Sequence, residues 1–231
     1  MNRGATMKMF ELKEITGSLS KPSKMPGFAY GLPAKECKTG SKLRKVKGST
    51  CEKCYAMKNC YAFKTTQAAQ YKRLDSLKNK DWVMSMAIQI GNKKEKFFRW
   101  HDSGDVQNLK HLAKIFEVAK RTPDIKHWLP TREAWVLKYQ DRAPENLVIR
   151  FSMAMVNQEA AGSWHNTSTV VTDSTVDNCA AFRTDKTGKV HSLSVYKKLT
   201  KLAKKELDFG HCGNCRKCWD KTIDNVAYLA H

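Results

Sequence analysis

A chain of 231 residues, 41% hydrophobic and 28% charged, is long enough to bury a core, and its composition excludes bulk disorder. No apolar run nears the roughly 18 residues of a membrane span, and the N-terminal MNRGATMKMF lacks the apolar stretch of a secretory signal, so a cytoplasmic protein without membrane contact is expected. The 42 Lys and Arg against 22 Asp and Glu, a net charge of +20, point to nucleic acid as a partner, with a solvated basic surface or an anionic small substrate as the alternatives.

In chain order, GFAYGLPA reads as a first strand leading into a cysteine-containing loop, and FKTTQAAQYKRLDSLKN and DWVMSMAIQIGN read as helices. KFFRWHDSGD is a strand entering a polar turn. NLKHLAKIFEVAKRTPD carries Leu109, Leu112, Ile115, Phe116 and Ala119 at helical spacing, with Asn108 as cap and Pro123 past the end. IKHWLPTRE is a strand, AWVLKYQDRAPE a short helix stopped before Pro144, NLVIRFSMA a strand, and STVVTDS, ending at Ser174, another. Beyond it one basic helix is expected from Val195 to Leu207.

Strands alternating with helices predict an α/β fold, a partial or complete parallel βα barrel over residues 1–174 with its N-terminal cysteine loop. Residues 175–231 are expected to form a cysteine-rich, metal-stapled C-terminal extension.

The eight cysteines fall into two groups: Cys37, Cys51, Cys54 and Cys60, then Cys179, Cys212, Cys215 and Cys218. In a reducing compartment such clusters argue for metal rather than disulfides. In HCGNCRKCW three thiolates at two-residue gaps suit three corners of an iron-sulfur cluster with Cys179 as the remote fourth ligand; zinc is the alternative. In the N-terminal group either Cys37 closes the site or three thiolates leave one iron open, and zinc again is the alternative.

Reactive groups of parallel βα folds stand at strand C-termini. Those ends carry His101, Asp102, Ser103, Gly104 and Asp105, then Thr131, Arg132 and Glu133, then Ser152. His101, Asp102 and Asp105 are the catalytic candidates, against a plain turn in which a carboxylate caps the next helix. Arg132 is either a clamp for a carboxylate or phosphate or half of a structural pair with an Asp. Ser152 is a candidate ligand contact, and His231 is expected at the surface. Tyr55, Tyr61, Trp100, Trp128 and Trp135 are expected as core or wall residues; KLRKVKGS and YKKLTKLAKK are candidate phosphate contacts.

GLPAKECK, RWHDSGD, WLPTRE and the terminal CGNCRKCW with a closing histidine together resemble a bacteriophage and mobile-element family called gene product 88-like, which implies a phage-encoded protein of the host cytoplasm. A more distant resemblance is to radical S-adenosylmethionine enzymes. It implies an open [4Fe-4S] cluster on Cys51, Cys54 and Cys60, and a second [4Fe-4S] cluster on Cys179, Cys212, Cys215 and Cys218. Ser103, Gly104 and Asp105 would meet the methionine amine of S-adenosylmethionine, and Arg132 and Ser152 its carboxylate and ribose. That superfamily spaces its cysteines C-x3-C-x2-C, where this chain has C-x2-C-x5-C. The expected function is an iron-sulfur enzyme acting on nucleic acid or nucleotides. The alternatives are a non-catalytic DNA- or RNA-binding protein with structural metal, and a barrel enzyme using Asp102 and Asp105 for base exchange or hydrolysis.

Overall fold

A computed structural model describes residues 8–173, 175 and 179–230; the expected boundary residue Ser174 and the closing His231 lie outside the described residues. Strands β1 (Phe28–Tyr30), β2 (Phe97–Trp100), β3 (Lys126–Thr131), β4 (Leu147–Val156), β5 (Thr167–Val171) and β6 (Asn225–Leu229) form one six-stranded sheet in sequential order. Every neighbouring pair is parallel. The fold is therefore α/β, but β1, bridged on its outer side at Ala29 to Ser20, does not pair with β6, so the complete barrel among the expected forms is not seen in the described residues.

Parallel neighbours need crossover connections, and the helices supply them. After α1 (Met9–Thr16), the chain passes from β1 through α2 (Lys38–Leu43), α3 (Lys64–Ser76) and α4 (Trp82–Gly91) to β2, and through α5 (Leu109–Lys120) to β3. The connection to β4 is a 3-10 stretch, Ala134–Arg142, rather than the expected α-helix, and Ala143 takes an extended backbone as the residue before a proline must. The expected basic helix is two helices, α6 (Leu193–Lys198) and α7 (Lys201–Leu207). Leu199 is extended between them, and the Thr200 hydroxyl accepts from the Ala203 amide at 3.1 Å to start the second. β6, which the sequence pattern did not reveal, carries the segment after residue 175 back into the sheet beside β5.

Side-chain alternation gives the sheet two faces. Phe98, Trp100 and Leu129 enter the main core with Tyr30, Trp82, Met86, Leu112 and Ile115. Trp82 sets its ring edge-on to Tyr30 at 5.7 Å and lies 6.1 Å from Trp100. In α5 the Asn108 side chain accepts from the His111 amide at 2.9 Å, and His111, Leu112, Ile115, Val118 and Ala119 are buried. Leu109, expected in that stripe, is 49% exposed, because helical geometry turns it roughly a third of a turn away. Phe97, Arg99 and Trp128 lie on the opposite face, covered by the C-terminal segment through Cys218, Trp219 and Val226. No helix among the described residues is long and apolar enough to cross a membrane.

Candidate functional site

After β2 the chain turns through His101, whose φ of +56° is left-handed. Its amide still donates to the Tyr30 carbonyl at 3.1 Å, but neither buried ring nitrogen has a partner. Burial, with His111 and Arg99 adding to it, holds His101 well below the usual histidine pKa and therefore neutral. Asp102 is buried too. Its Oδ2 accepts from the Tyr61 hydroxyl at 3.2 Å and from Ser20 at 3.5 Å, whereas Oδ1 has no partner.

The loop is packed tightly against the end of β1. The Ser103 hydroxyl donates to the Leu32 carbonyl at 2.7 Å and accepts from Gln70 at 2.8 Å. Gly104 has φ +79°, and a Cβ there would stand 2.6 Å from the Leu32 Cβ. A Cβ on Gly31 would stand 2.3 Å from Asp102 Oδ1, so this glycine leaves the room that carboxylate occupies.

Asp105 ties the next loop down. Its Oδ1 accepts from Thr131 Oγ1 and from the Val106 amide, each at 2.7 Å, and its Oδ2 accepts from the Arg132 amide at 2.9 Å. Burial nevertheless pushes its pKa up to about 6, against these three hydrogen bonds, with Glu133 adding to the rise. The Arg132 guanidinium reaches Thr50, and Glu133 accepts from the Thr39 amide at 3.0 Å and the Trp135 indole at 3.1 Å. Among the described residues Arg132 forms no ion pair with an Asp, so its structural alternative takes the form of a clamp on the cysteine loop.

The N-terminal cysteines divide. A Cβ on Gly40 would lie 3.7 Å from both the Cys37 and the Cys51 sulfur, which places those thiols on either side of one glycine. Burial, then the Asp105 charge, then Cys54 and Cys51, push the Cys37 thiol up to about 12. Cys51 is raised by burial, with Arg132 opposing and Cys54 and Asp105 adding. Cys37 therefore feels both Cys54 and Cys51, and Cys51 feels Cys54; Cys60 is exposed and is not among the main charges acting on Cys37 or Cys51. The 3-10 turns Tyr55–Met57 and Asn59–Ala62 aim two phenols back at the strand end. Tyr55 donates to the Asp102 carbonyl at 2.5 Å and Tyr61 to its carboxylate.

The four C-terminal cysteines lie within one another's electrostatic reach. Burial pushes Cys179 up to about 12, with Cys218, Cys215 and Cys212 each contributing after the opposing Ala181 amide. Cys212 is pushed up to about 11 by burial, then Cys218 and Cys215, with Arg99 and Arg216 opposing. The Cys179 amide donates to Ala227 of β6 at 3.1 Å, and Trp219 donates from its indole to the Phe98 carbonyl at 2.9 Å, which seats the motif on the sheet. Among the described residues no three His, Cys, Asp or Glu side chains are set so as to hold a metal ion as they stand.

Ser152 lies inside β4 rather than at its end, and its hydroxyl accepts from Ser168 at 3.1 Å. Two residues escaped the sequence reading: Arg99 and Arg150, each a cation inside an otherwise apolar strand. That misfit in FFRW and LVIRF was the signal. Two grooves, of about 390 and 490 Å³, sit at the opposite, N-terminal ends of the strands around Pro123 and Asp124, the second also lined by Trp219.

No curated protein and no solved structure matches the chain. A family model described as Gene product 88 matches residues 3–221, nearly the whole length, a span that includes the strand-end loops and both cysteine groups. On that match the chain belongs to the gene product 88 family.

Proposed function

We propose that this protein is an iron-sulfur enzyme of the radical S-adenosylmethionine kind acting on a nucleic acid or nucleotide. The observation that carries the reading is the sequential, all-parallel order of six strands, the order of a partial βα barrel, with Cys37, Cys51 and Cys54 grouped beside the Asp102 to Asp105 loop at the strand C-termini. The donor set fits a metal: buried thiols crowded together disfavour one another's ionisation, and a bound cation is the partner that reverses this.

In this reading Cys37, Cys51 and Cys54 would hold one [4Fe-4S] cluster, and Cys179, Cys212, Cys215 and Cys218 the other. When bound, the open cluster supplies the electron that cleaves S-adenosylmethionine. The chain's own residues bind and orient. Asp102 offers a buried carboxylate oxygen without a partner, suited to an ammonium group. Asp105 is a positioning residue, its oxygens committed to Val106, Thr131 and Arg132. Arg132 offers its guanidinium to a carboxylate. Neutral His101, with both nitrogens free, is able to hold or pass a proton.

The test is metal and acid-labile sulfide analysis with an absorption spectrum on protein purified without oxygen, followed by assay for S-adenosylmethionine cleavage under reduction. About eight iron and eight sulfide per chain with cleavage is the expected result. About two zinc and no sulfide would overturn it in favour of a nucleic-acid-binding protein with structural metal, the reading favoured by the net charge of +20.

A further inference from the structure

Three buried nitrogen donors on one face of the sheet have no partner: Arg99 Nε on β2, Trp128 Nε1 on β3 and Arg150 Nε on β4. Arg99 and Trp128 are register partners, and the guanidinium lies 4.6 Å from the indole ring. Trp128 packs with Cys218, Trp219 and Val226, against which Cys179 and Tyr228 also rest. Arg150 is 0% exposed and gives its two terminal nitrogens to the carbonyls of Thr167, Ile223, Asp224, Lys217 and Asp220, the last two flanking Cys218.

These cations lack a carboxylate in salt-bridge contact, although Asp220 and Asp224 stand in the field of Arg150. A guanidinium stays protonated even when buried, and burying it without an ion pair leaves part of its charge uncompensated. Among the described residues neither Arg99 nor Arg150 forms an ion pair with a carboxylate. Arg99 has Asp102 in its field on one side, and its Nη2 bonds the Tyr55 hydroxyl at 3.2 Å; on the other side stand Cys212 and Cys218. The Tyr228 hydroxyl lies 3.2 Å from the Cys218 sulfur.

We infer that Arg99 and Arg150, with the Trp128 indole N–H, form the counter-charged surround of a metal centre held by Cys179, Cys212, Cys215 and Cys218. Four thiolates around a dication carry a net charge of about −2, which the two guanidiniums, about +2, would offset. The unpaired N–H groups lie on the sheet face that the Cys218 segment covers. The N-terminal group is mixed, with the Asp105 carboxylate as the main charge on Cys37 and the Arg132 guanidinium as the main charge on Cys51. The two centres therefore differ in charge environment: one faced by cations on the sheet face, one by a carboxylate and a guanidinium at the strand ends.

The inference rests on the metal part of the proposed function and not on its enzymatic part. Its test is anaerobic titration of the metal-free full chain with cobalt(II), read by sulfur-to-cobalt charge-transfer absorption in competition with a chelator; loss of a component of that signal in Cys215→Ser assigns the component to this tetrad. Arg99→Gln should weaken that component about 10- to 100-fold, the range for outer-shell groups, with Arg99→Lys restoring most of it and the metal-free unfolding midpoint unmoved. Arg150→Lys, which keeps the charge and loses the fork of hydrogen bonds, should keep more cobalt affinity than Arg150→Met. Equal affinities in Arg99→Gln and the parent protein would overturn the inference while leaving the metal reading intact. Absence of the tetrad component in the parent protein would overturn both, whereas failure to cleave S-adenosylmethionine would touch only the enzymatic reading.

Discussion

The guanidinium of Arg132 donates twice to the hydroxyl of Thr50, from Nε at 3.1 Å and Nη2 at 2.6 Å, while its own amide donates to Asp105. One residue therefore joins the end of β3, the loop after β2 and the residue preceding Cys51. Thr50 is held from the other side as well, its amide donating to the Ala154 carbonyl at 2.9 Å. Arg132→Ala should cost about 1.5 to 3 kcal/mol, the range for hydrogen bonds to a charged group, and, because the guanidinium favours the Cys51 thiolate, should slow alkylation of Cys51 in folded metal-free protein. Urea unfolding and mass-spectrometric labelling rates check the two parts separately.

Asp105 gives a pH dependence with a definite sign. Its folded pKa of about 6 lies above the ordinary aspartate value of 3.8, so the folded state binds the proton more tightly. The stability it contributes is full below pH ~4 and is lost as pH rises through about 6. Asp105→Asn is neutral throughout. Its destabilisation relative to the parent should therefore be largest near pH 4 and narrow by up to about 3 kcal/mol by pH 7, as followed by urea unfolding across that range.

Gly31 and Gly104 separate strain from site geometry. At Gly104 a side chain meets the Leu32 backbone, its oxygen 2.8 Å away, at a left-handed φ. Gly104→Ala should therefore cost more than about 1 kcal/mol and lower the unfolding midpoint. At Gly31 the obstacle is the movable end of Asp102 together with the Ser103 hydroxyl. Gly31→Ala should cost less than Gly104→Ala and act by turning the Asp102 carboxylate away. A larger thermal loss in Gly31→Ala than in Gly104→Ala would contradict this ordering.

Trp82 joins α4 to the sheet through Tyr30, Trp100 and a 3.2 Å hydrogen bond from its indole to the Tyr30 hydroxyl. Trp82→Ala should cost about 3 to 5 kcal/mol in chemical denaturation, as large aromatic deletions in packed cores do. Trp82→Phe keeps the ring contact, loses the N–H, and should cost less.

The strands that were legible in the sequence are those whose burial is written into adjacent apolar residues, such as Phe97 to Trp100 and Leu147 to Phe151. β6 was not legible, because Asn225 to Leu229 follows a cysteine run and becomes a strand through pairing with Thr167 to Val171, which lies more than fifty residues earlier. The break between α6 and α7 was written in Ser192 and Thr200, both capping hydroxyls. The polar strand-end loop was placed by the parallel pattern alone. The division of labour within it was not, since Asp102 with a free oxygen and Asp105 with none differ only in the distant residues that reach them. The grouping of Cys37 with Cys51 was hidden for the same reason: thirteen residues, α2 among them, separate the two, and Gly40 leaves room for both sulfurs.

Cys60 and Cys37 make the sharpest contrast within the first cysteine group. Sequence spacing favours Cys60, six residues after Cys54, as the third thiolate of a compact loop. In the fold Cys60 is exposed beyond the turn at Asn59, whose φ is +50°, while Cys37 is pushed up to about 12 by burial, Asp105, Cys54 and Cys51. A thiol that feels its neighbours' charges is one that a shared cation would stabilise as thiolate, and an exposed thiol outside that field gains nothing from it. In metal-free protein Cys60 should be alkylated faster than Cys37, Cys51 or Cys218. Cys60→Ser should leave iron or zinc content unchanged, and Cys37→Ser should reduce it to that of Cys51→Ser. Metal analysis of the three variants decides the matter: loss of metal in Cys60→Ser with full content in Cys37→Ser would restore the ligand set that spacing alone suggests.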